Sequence, residues 1–220
     1  MSVIGVDLDG VVADFTQAFG DYVRNYGDPE DRNRHFPPPS CWHFGNWNLK
    51  GDFEDYYERF IHSGGYKRVP VIQGAVASLQ AIRELGWKIH IITNRGTSEG
   101  ATARNHKAIK NTLTWLAAND IPHDTLSFVK DKTAILCDVI LEDAPHHLEA
   151  FIAKNKAGVA VTPDVIAMGQ PYNKRFQYCD PLVIDFTYAQ DWNDVVERVA
   201  YLDELRHGNG VEIAEDRLSR

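Results

Sequence analysis

Val3-Ile4-Gly5-Val6 is apolar at almost every position, the pattern of a strand covered on both faces of a parallel sheet, and it runs directly into "DLDGVVAD". Phe15, Ala18, Phe19, Tyr22, Val23 and Tyr26 then recur at helical spacing and predict a helix over residues 15–26. Residues 28–47 are polar, proline-rich (Pro37-Pro38-Pro39) and dense in aromatics, and a second helix over 52–62 stops at Gly64-Gly65. From Val71 onward the pattern alternates. A helix at 74–85 ends at Gly86 and is followed by a strand at 88–93. A helix at 101–119 precedes a short strand at 126–129, and a strand at 135–141 precedes a helix at 145–154 and a further strand at 158–162. Repeated strand–helix alternation predicts an α/β fold with a doubly wound parallel sheet and right-handed crossovers. Residues 16–71 interrupt that alternation and are expected to form a mostly helical cap inserted after the first strand. The core then comprises residues 1–15 and 72–206, and 207–220 form a C-terminal tail.

Composition narrows the classes of function. The chain has 220 residues, 44% hydrophobic and 25% charged, so it has room for one α/β core and a modest insertion. A net charge of −8 argues against coating a nucleic acid polymer, whereas a small phosphorylated ligand needs only a local positive site. Cys41, Cys137 and Cys179 are odd in number and form no CxxC pair, which fits a reducing cytoplasm rather than a disulfide framework. No signal peptide and no apolar run of membrane-spanning length is legible.

In a doubly wound sheet the ligand crevice lies at the carboxyl ends of the strands. The first strand ends at Asp7 and Asp9, two carboxylates flanking Leu8, which repel unless a cation or proton lies between them. "KIHIITNR" ends at Thr93-Asn94, "FVKDKT" brings Lys132, and "ILCDVILEDAP" ends at Glu142-Asp143. Carboxylates with a few oxygen partners suit Mg²⁺, a hard cation that prefers oxygen ligands and keeps several waters. A lysine, a threonine hydroxyl and backbone N–H groups at helix starts suit a phosphate. Together they predict a phosphoryl-transfer site with an aspartate nucleophile.

These four stretches, in this order, resemble the haloacid dehalogenase superfamily of phosphatases, with its Rossmann-like core. The closest likeness within it is to the 5'(3')-deoxyribonucleotidases, carried by "DLDGVVADF", "GGYKRVPVIQGAVASLQAIRELG" and "KDKTAILCDVILED". The resemblance implies Asp7 as nucleophile and Asp9 as general acid/base. It also implies phosphate binding by Thr93, Asn94 and Lys132, and Mg²⁺ held by Asp7, Asp143 and the backbone carbonyl of Asp9. Glu142 is expected to orient Lys132 or hold a metal-bound water rather than ligate. Phe15, directly after the first motif, matches the position that faces the base, and Trp42 is a second candidate for the substrate pocket. The implied substrate is a small phosphorylated metabolite of the nucleoside monophosphate class, with no membrane partner and with a homodimer among the assemblies left open. The chain departs from the pattern at Asn94, where the animal enzymes carry Ser, and at Glu142, where they carry Asp. Residues 36–47 do not align with the family's base pocket.

Each residue also has a plainer role to set against these. Asp7 and Asp9 fit a helix N-cap and a turn, Lys132 a solvated surface lysine, and Glu142-Asp143 a cap for the next helix. His146-His147 lacks partners at zinc spacing and reads as structural, and Trp42, Phe44 and Trp47 fit core positions. Two other functions stay open: a phosphatase for a sugar phosphate or other small monoester, and a non-catalytic phospho-ligand binder. The second has no use for Asp9.

Overall fold

The computed structural model describes residues 1–157, 162–178 and 186–207. Its strands are β1 (Val3–Val6), β2 (Lys88–Thr93), β3 (Thr125–Phe128), β4 (Val139–Glu142), β5 (Asp164–Met168) and β6 (Phe186–Ala189). They form one sheet in the order β3-β2-β1-β4-β5-β6, each neighbouring pair parallel. The helices are α1 (Phe15–Tyr26), α2 (Pro29–Arg32), α3 (Phe53–His62), α4 (Ala75–Glu84), α5 (Thr102–Ala118), α6 (Pro145–Lys156) and α7 (Trp192–His207).

Because strand side chains alternate between faces, each strand feeds two cores. Val139 and Leu141 of β4 join Ile4, Val6, Ile89 and Ile91 in the larger cluster, which α4, α5 and α7 close through Leu79, Trp115 and Val199. Ile140, one residue out of phase, joins Ile92, Val165 and Leu148 on the face covered by α6. Gly5 sits under that second face. A Cβ there would lie 2.7 Å from Ile92 Cδ1 and 2.9 Å from Ile140 Cδ1, so its absence lets the flanking strands pack over β1.

Helix periodicity placed α1 and β2 at their observed bounds, and α3 to α6 within two residues at either end. The strand expected at 135–141 is shorter. Residues Lys132–Ala134 form a 3-10 turn, and Ile135 and Cys137 pack against the α6-side core before pairing begins at Val139. The strand expected at 158–162 lies, apart from Thr162, outside the described residues, as do Cys179 and nearly all of the 207–220 tail. The strand observed after α6, β5, starts at Asp164. Among the described residues Cys41 and Cys137 are free thiols, and no helix is long and apolar enough to cross a membrane.

Between β1 and α4 the chain supplies helices and no strand to the sheet. The two ends of this segment are joined, with the Asp14 N–H donating to the Pro70 carbonyl and the Ile72 N–H to the Val12 carbonyl, both at 2.8 Å. Inside it, Phe19 is surrounded by the rings of Phe15, Phe53, Phe60 and Trp47. Asp31, fully buried, accepts the backbone N–H groups of Lys50 and Gly51 at 3.1 Å and the Tyr56 hydroxyl at 2.8 Å. α3 and the 3-10 turn Gly65–Arg68 pack against α5, which brings this aromatic body beside the carboxyl edge of the sheet.

Candidate active site

The three acids after β1 take three different environments. Asp7 is buried, and its Oδ1 lies 2.6 Å from the Lys132 ammonium. Asp9 is partly exposed and paired with Arg95. Asp14 is the helix cap, its carboxylate accepting the Gln17 N–H at 2.9 Å at the start of α1. The chain turns sharply between them, with the Val11, Val12 and Ala13 N–H groups all converging on the Leu8 carbonyl. Gly10 makes the turn at φ +80°, and a Cβ there would stand 1.9 Å from Asp143 Oδ2. Only glycine allows the first loop to lie this close to the end of β4.

Lys132 is almost fully buried and bridges two carboxylates, Asp7 Oδ1 and Glu142 Oε2, at 2.6 Å each. That excludes the reading of a solvated lysine. Burial by itself pulls its pKa down, but the charges of Asp7 and Glu142 outweigh it and the net direction is up. Glu142 uses its other oxygen to accept the N–H groups of Asp143 and Ala144 at 3.0 and 2.9 Å. Burial opposes its charge, yet Lys132 and these partners keep its pKa lowered. Burial pushes the Asp7 carboxyl up to about 7, with Lys132 opposing and Glu142 and Asp9 adding to the rise.

Asp143 does not cap α6, whose N-cap is Ala144 with no side-chain cap bond. Its carboxylate is buried, raised well above the usual range by desolvation and by the charges of Glu142 and Asp7. The Tyr172 hydroxyl donates to Oδ2, while Oδ1 is buried without a hydrogen-bond partner among the described residues. Oxygens of Asp7, Glu142 and Asp143 lie within 4.8 Å of one another. An orphaned carboxylate oxygen amid three clustered acids, with no sulfur and no nitrogen ligand in the group, fits a hard divalent cation. His147, nearby, is held neutral, its pKa lowered to about 4 mainly by burial, and the His146 ring lies tilted against it at 4.1 Å between ring centroids.

Asp7, Asp9, Thr93, Asn94, Lys132, Asp143, Phe15 and Trp42 all line one cavity of about 520 Å³; Glu142 lies beneath it, behind Lys132. Phe15 presents an edge to Phe60 and Tyr57, and Trp42 contacts Tyr172 and His146 edge-on rather than entering the core. Trp47, by contrast, is core, its indole N–H donating to the Pro37 carbonyl at 2.8 Å. Two residues escaped the sequence reading. Arg95 stands one place beyond "TN" in a segment that reads as turn. Tyr172 lies beyond β5, where no strand was placed to carry it. Gln170 and Asn173 of the same loop donate to the carbonyls of Gly10 and Asp143 at 2.7 and 2.8 Å.

A parallel sheet with an aspartate at the end of its central strand, and a buried lysine and acidic pair beside it, defines a phosphohydrolase of the haloacid dehalogenase class. Solved structures carry the same fold. They include a haloacid dehalogenase-like family hydrolase from Xanthomonas campestris (TM-score 0.50, 13% identity, covering 93% of this chain and 97% of that one). A structure described as a predicted phosphatase, from Clostridium acetobutylicum, is similar at TM-score 0.51 and 14% identity, over 91% and 98%. The family model for the 5' nucleotidase, deoxy (pyrimidine), cytosolic type C proteins matches residues 1–202, and the chain belongs to that family of phosphoric monoester hydrolases. Among curated relatives, a 5'(3')-deoxyribonucleotidase assignment from Chlorobaculum tepidum is 31% identical over 66% of this chain and 71% of its own. A 5'(3')-deoxyribonucleotidase from Bacillus subtilis is 26% identical over 68% and 80%.

Proposed function

We propose that this enzyme hydrolyses deoxynucleoside monophosphates to nucleoside and inorganic phosphate through an aspartyl-phosphate on Asp7, with Mg²⁺ as cofactor, in the cytoplasm. The observation that carries the reading is Asp7 itself. It is a buried carboxylate at the end of β1, 2.6 Å from Lys132, on the floor of a cavity whose upper wall is aromatic. Asp7, Asp143 and the Asp9 carbonyl would hold the cation, whose charge lets an anionic nucleophile approach an anionic ester.

The carboxylate of Asp7 attacks phosphorus in line, the phosphorus–ester oxygen bond breaks, and Asp9 gives a proton to the leaving oxygen. Water then attacks the aspartyl-phosphate, passes a proton to Asp9 and frees phosphate and Asp7. Two N–H groups of Lys132 go to Asp7 and Glu142, leaving a third for a phosphoryl oxygen. Thr93 and Asn94 share that load from the end of β2. Residues 16–71 act as the cap over the core of residues 1–15 and 72–206, excluding bulk water and carrying the base pocket.

The test is a panel of deoxy- and ribonucleoside monophosphates, 5' and 3', with sugar phosphates, read by released phosphate. Turnover of deoxynucleotides that is lost in Asp7→Asn, while that variant keeps its fold by circular dichroism, is the expected result. Near-native turnover in Asp7→Asn overturns the covalent mechanism, and a preference for sugar phosphates overturns the substrate.

A further inference from the structure

The guanidinium of Arg95 is enclosed almost completely, its side chain 1% exposed against 25% for the Asp9 carboxylate it meets. Both arms of the fork are engaged, Nε with Asp9 Oδ2 at 2.9 Å and Nη2 with Asp9 Oδ1 at 2.5 Å. Nη1 points the other way, 3.4 Å from the Thr112 hydroxyl on α5. One face of the ion lies over Tyr66 at 4.1 Å and it also stands 5.5 Å from the Trp115 ring. Tyr66 belongs to the Gly65–Arg68 turn and shares a 2.6 Å hydroxyl contact with Tyr57 of α3, whereas Trp115 belongs to α5. The backbone is tied as well, the Arg95 N–H donating to the Thr93 hydroxyl at 3.3 Å.

Three of the five guanidinium N–H groups are taken, two by the Asp9 carboxylate and one by Thr112, so the charge of this buried arginine is committed chiefly to Asp9. Its bidentate geometry fixes the plane and rotamer of the partner carboxylate in a way that a point charge does not. The aromatic clamp in turn fixes the fork, with one wall from the segment between β1 and α4 and the other from the sheet-flanking α5. Asp9 is otherwise a loop residue on a tight turn, and among the described residues its carboxylate hydrogen-bonds to Arg95 alone.

We infer that Arg95 is a positioning residue that aims the Asp9 carboxylate at the ester oxygen, and that its seat between Tyr66 and Trp115 ties this aim to the docking of the cap on α5. The inference rests on the reading of Asp9 as the proton carrier. When the phosphorus–oxygen bond breaks, the Asp9 carboxyl releases its proton to the leaving oxygen, and the carboxylate left behind is the form the fork grips. That carboxylate then receives the proton of the water that attacks phosphorus, so the two half-reactions balance.

The experiment compares Arg95→Lys and Arg95→Gln in the native and Asp9→Asn backgrounds. Substrates are a deoxypyrimidine 5'-monophosphate and p-nitrophenyl phosphate, whose leaving group departs without a proton. A misaimed carboxylate should lower kcat for the nucleotide by about 100-fold with KM little moved, and lower it far less for p-nitrophenyl phosphate. In the Asp9→Asn background the same substitutions should cost almost nothing further. Arg95→Lys keeps a cation against both rings and loses only the fork, so it carries the test if Arg95→Gln fails to fold. An equal loss on both substrates, or an undiminished loss in the Asp9→Asn background, overturns the inference. Native nucleotide turnover in Asp9→Asn alone overturns the reading of Asp9 and the inference with it; a crippled Asp9→Asn beside a silent Arg95→Lys overturns the inference alone.

Discussion

Tyr172 illustrates how much of the site depends on single contacts between distant parts of the chain. Its hydroxyl donates to Asp143 Oδ2, leaving Oδ1 as the free oxygen, and so sets which face of the carboxylate is turned to a cation. Partners of this kind orient a ligating group, and their removal commonly costs 10- to 100-fold in metal affinity. We therefore expect Tyr172→Phe to bind Mg²⁺ about tenfold more weakly in a calorimetric titration while unfolding at the native temperature. Unchanged affinity would mean that the Tyr172 hydroxyl does not orient the Asp143 carboxylate toward a cation. At the same scale Gly10 tolerates no side chain, since its Cβ would overlap Asp143 Oδ2.

Among the elements, the segment between β1 and α4 is built on a buried charge as well as on aromatics. Asp31 is pushed up by burial, but the N–H groups of Gly51 and Lys50, the Tyr56 hydroxyl and Arg34 bring its pKa below the ordinary aspartate value. A carboxyl depressed in the folded state adds stability at pH above its unfolded pKa of about 3.9. That stability drains as the pH falls below this value toward the lower folded one. Asp31→Asn should cost about 2 kcal/mol at pH 7, the scale of hydrogen bonds to a charged group, and the deficit relative to the native chain should shrink in acid. Urea unfolding at pH 7 and pH 3 checks both the size and the sign. The aromatic wall makes a separate demand. Phe15→Ala and, less strongly, Trp42→Ala should raise KM for nucleoside monophosphates by an amount matching about 1–3 kcal/mol of stacking, and leave p-nitrophenyl phosphate nearly untouched. Equal losses on both substrates would make these rings support for the fold.

For the whole molecule, the acids gathered at the sheet edge would, with the proposed cation, make folding and metal binding one equilibrium. Asp7 and Asp143 are both raised by burial, so their charged forms are disfavoured until a cation joins them. Mg²⁺ at 100 times its dissociation constant should stabilise the fold by about 2.7 kcal/mol, visible as a rise in Tm that a chelator reverses along with activity. Zn²⁺ should substitute poorly, because the clustered donors are all carboxylate oxygens. A Tm indifferent to Mg²⁺, with full turnover in excess chelator, would overturn the metal assignment.

What the sequence determined by itself was local. Helical and strand periodicity placed α1 and β2 at their observed bounds, and the order of motifs put Asp7, Thr93, Lys132 and Asp143 around one cavity, because each lies at or just beyond a strand end and a doubly wound sheet gathers those ends. Pattern alone also marked 16–71 as the stretch that breaks the alternation. The tertiary structure decided which of those charges face each other. Arg95 reaches Asp9 across 86 positions and Tyr172 reaches Asp143 across 29, and no motif or periodicity singled out either one. Lys132 was legible as a phosphate ligand, but only the turn before β4 decides that it is buried and bridges Asp7 and Glu142. Such pairings depend on how loops from separate strands meet at one edge of the sheet. Side-chain periodicity carries no information about that, since it records only which face of its own element a residue occupies.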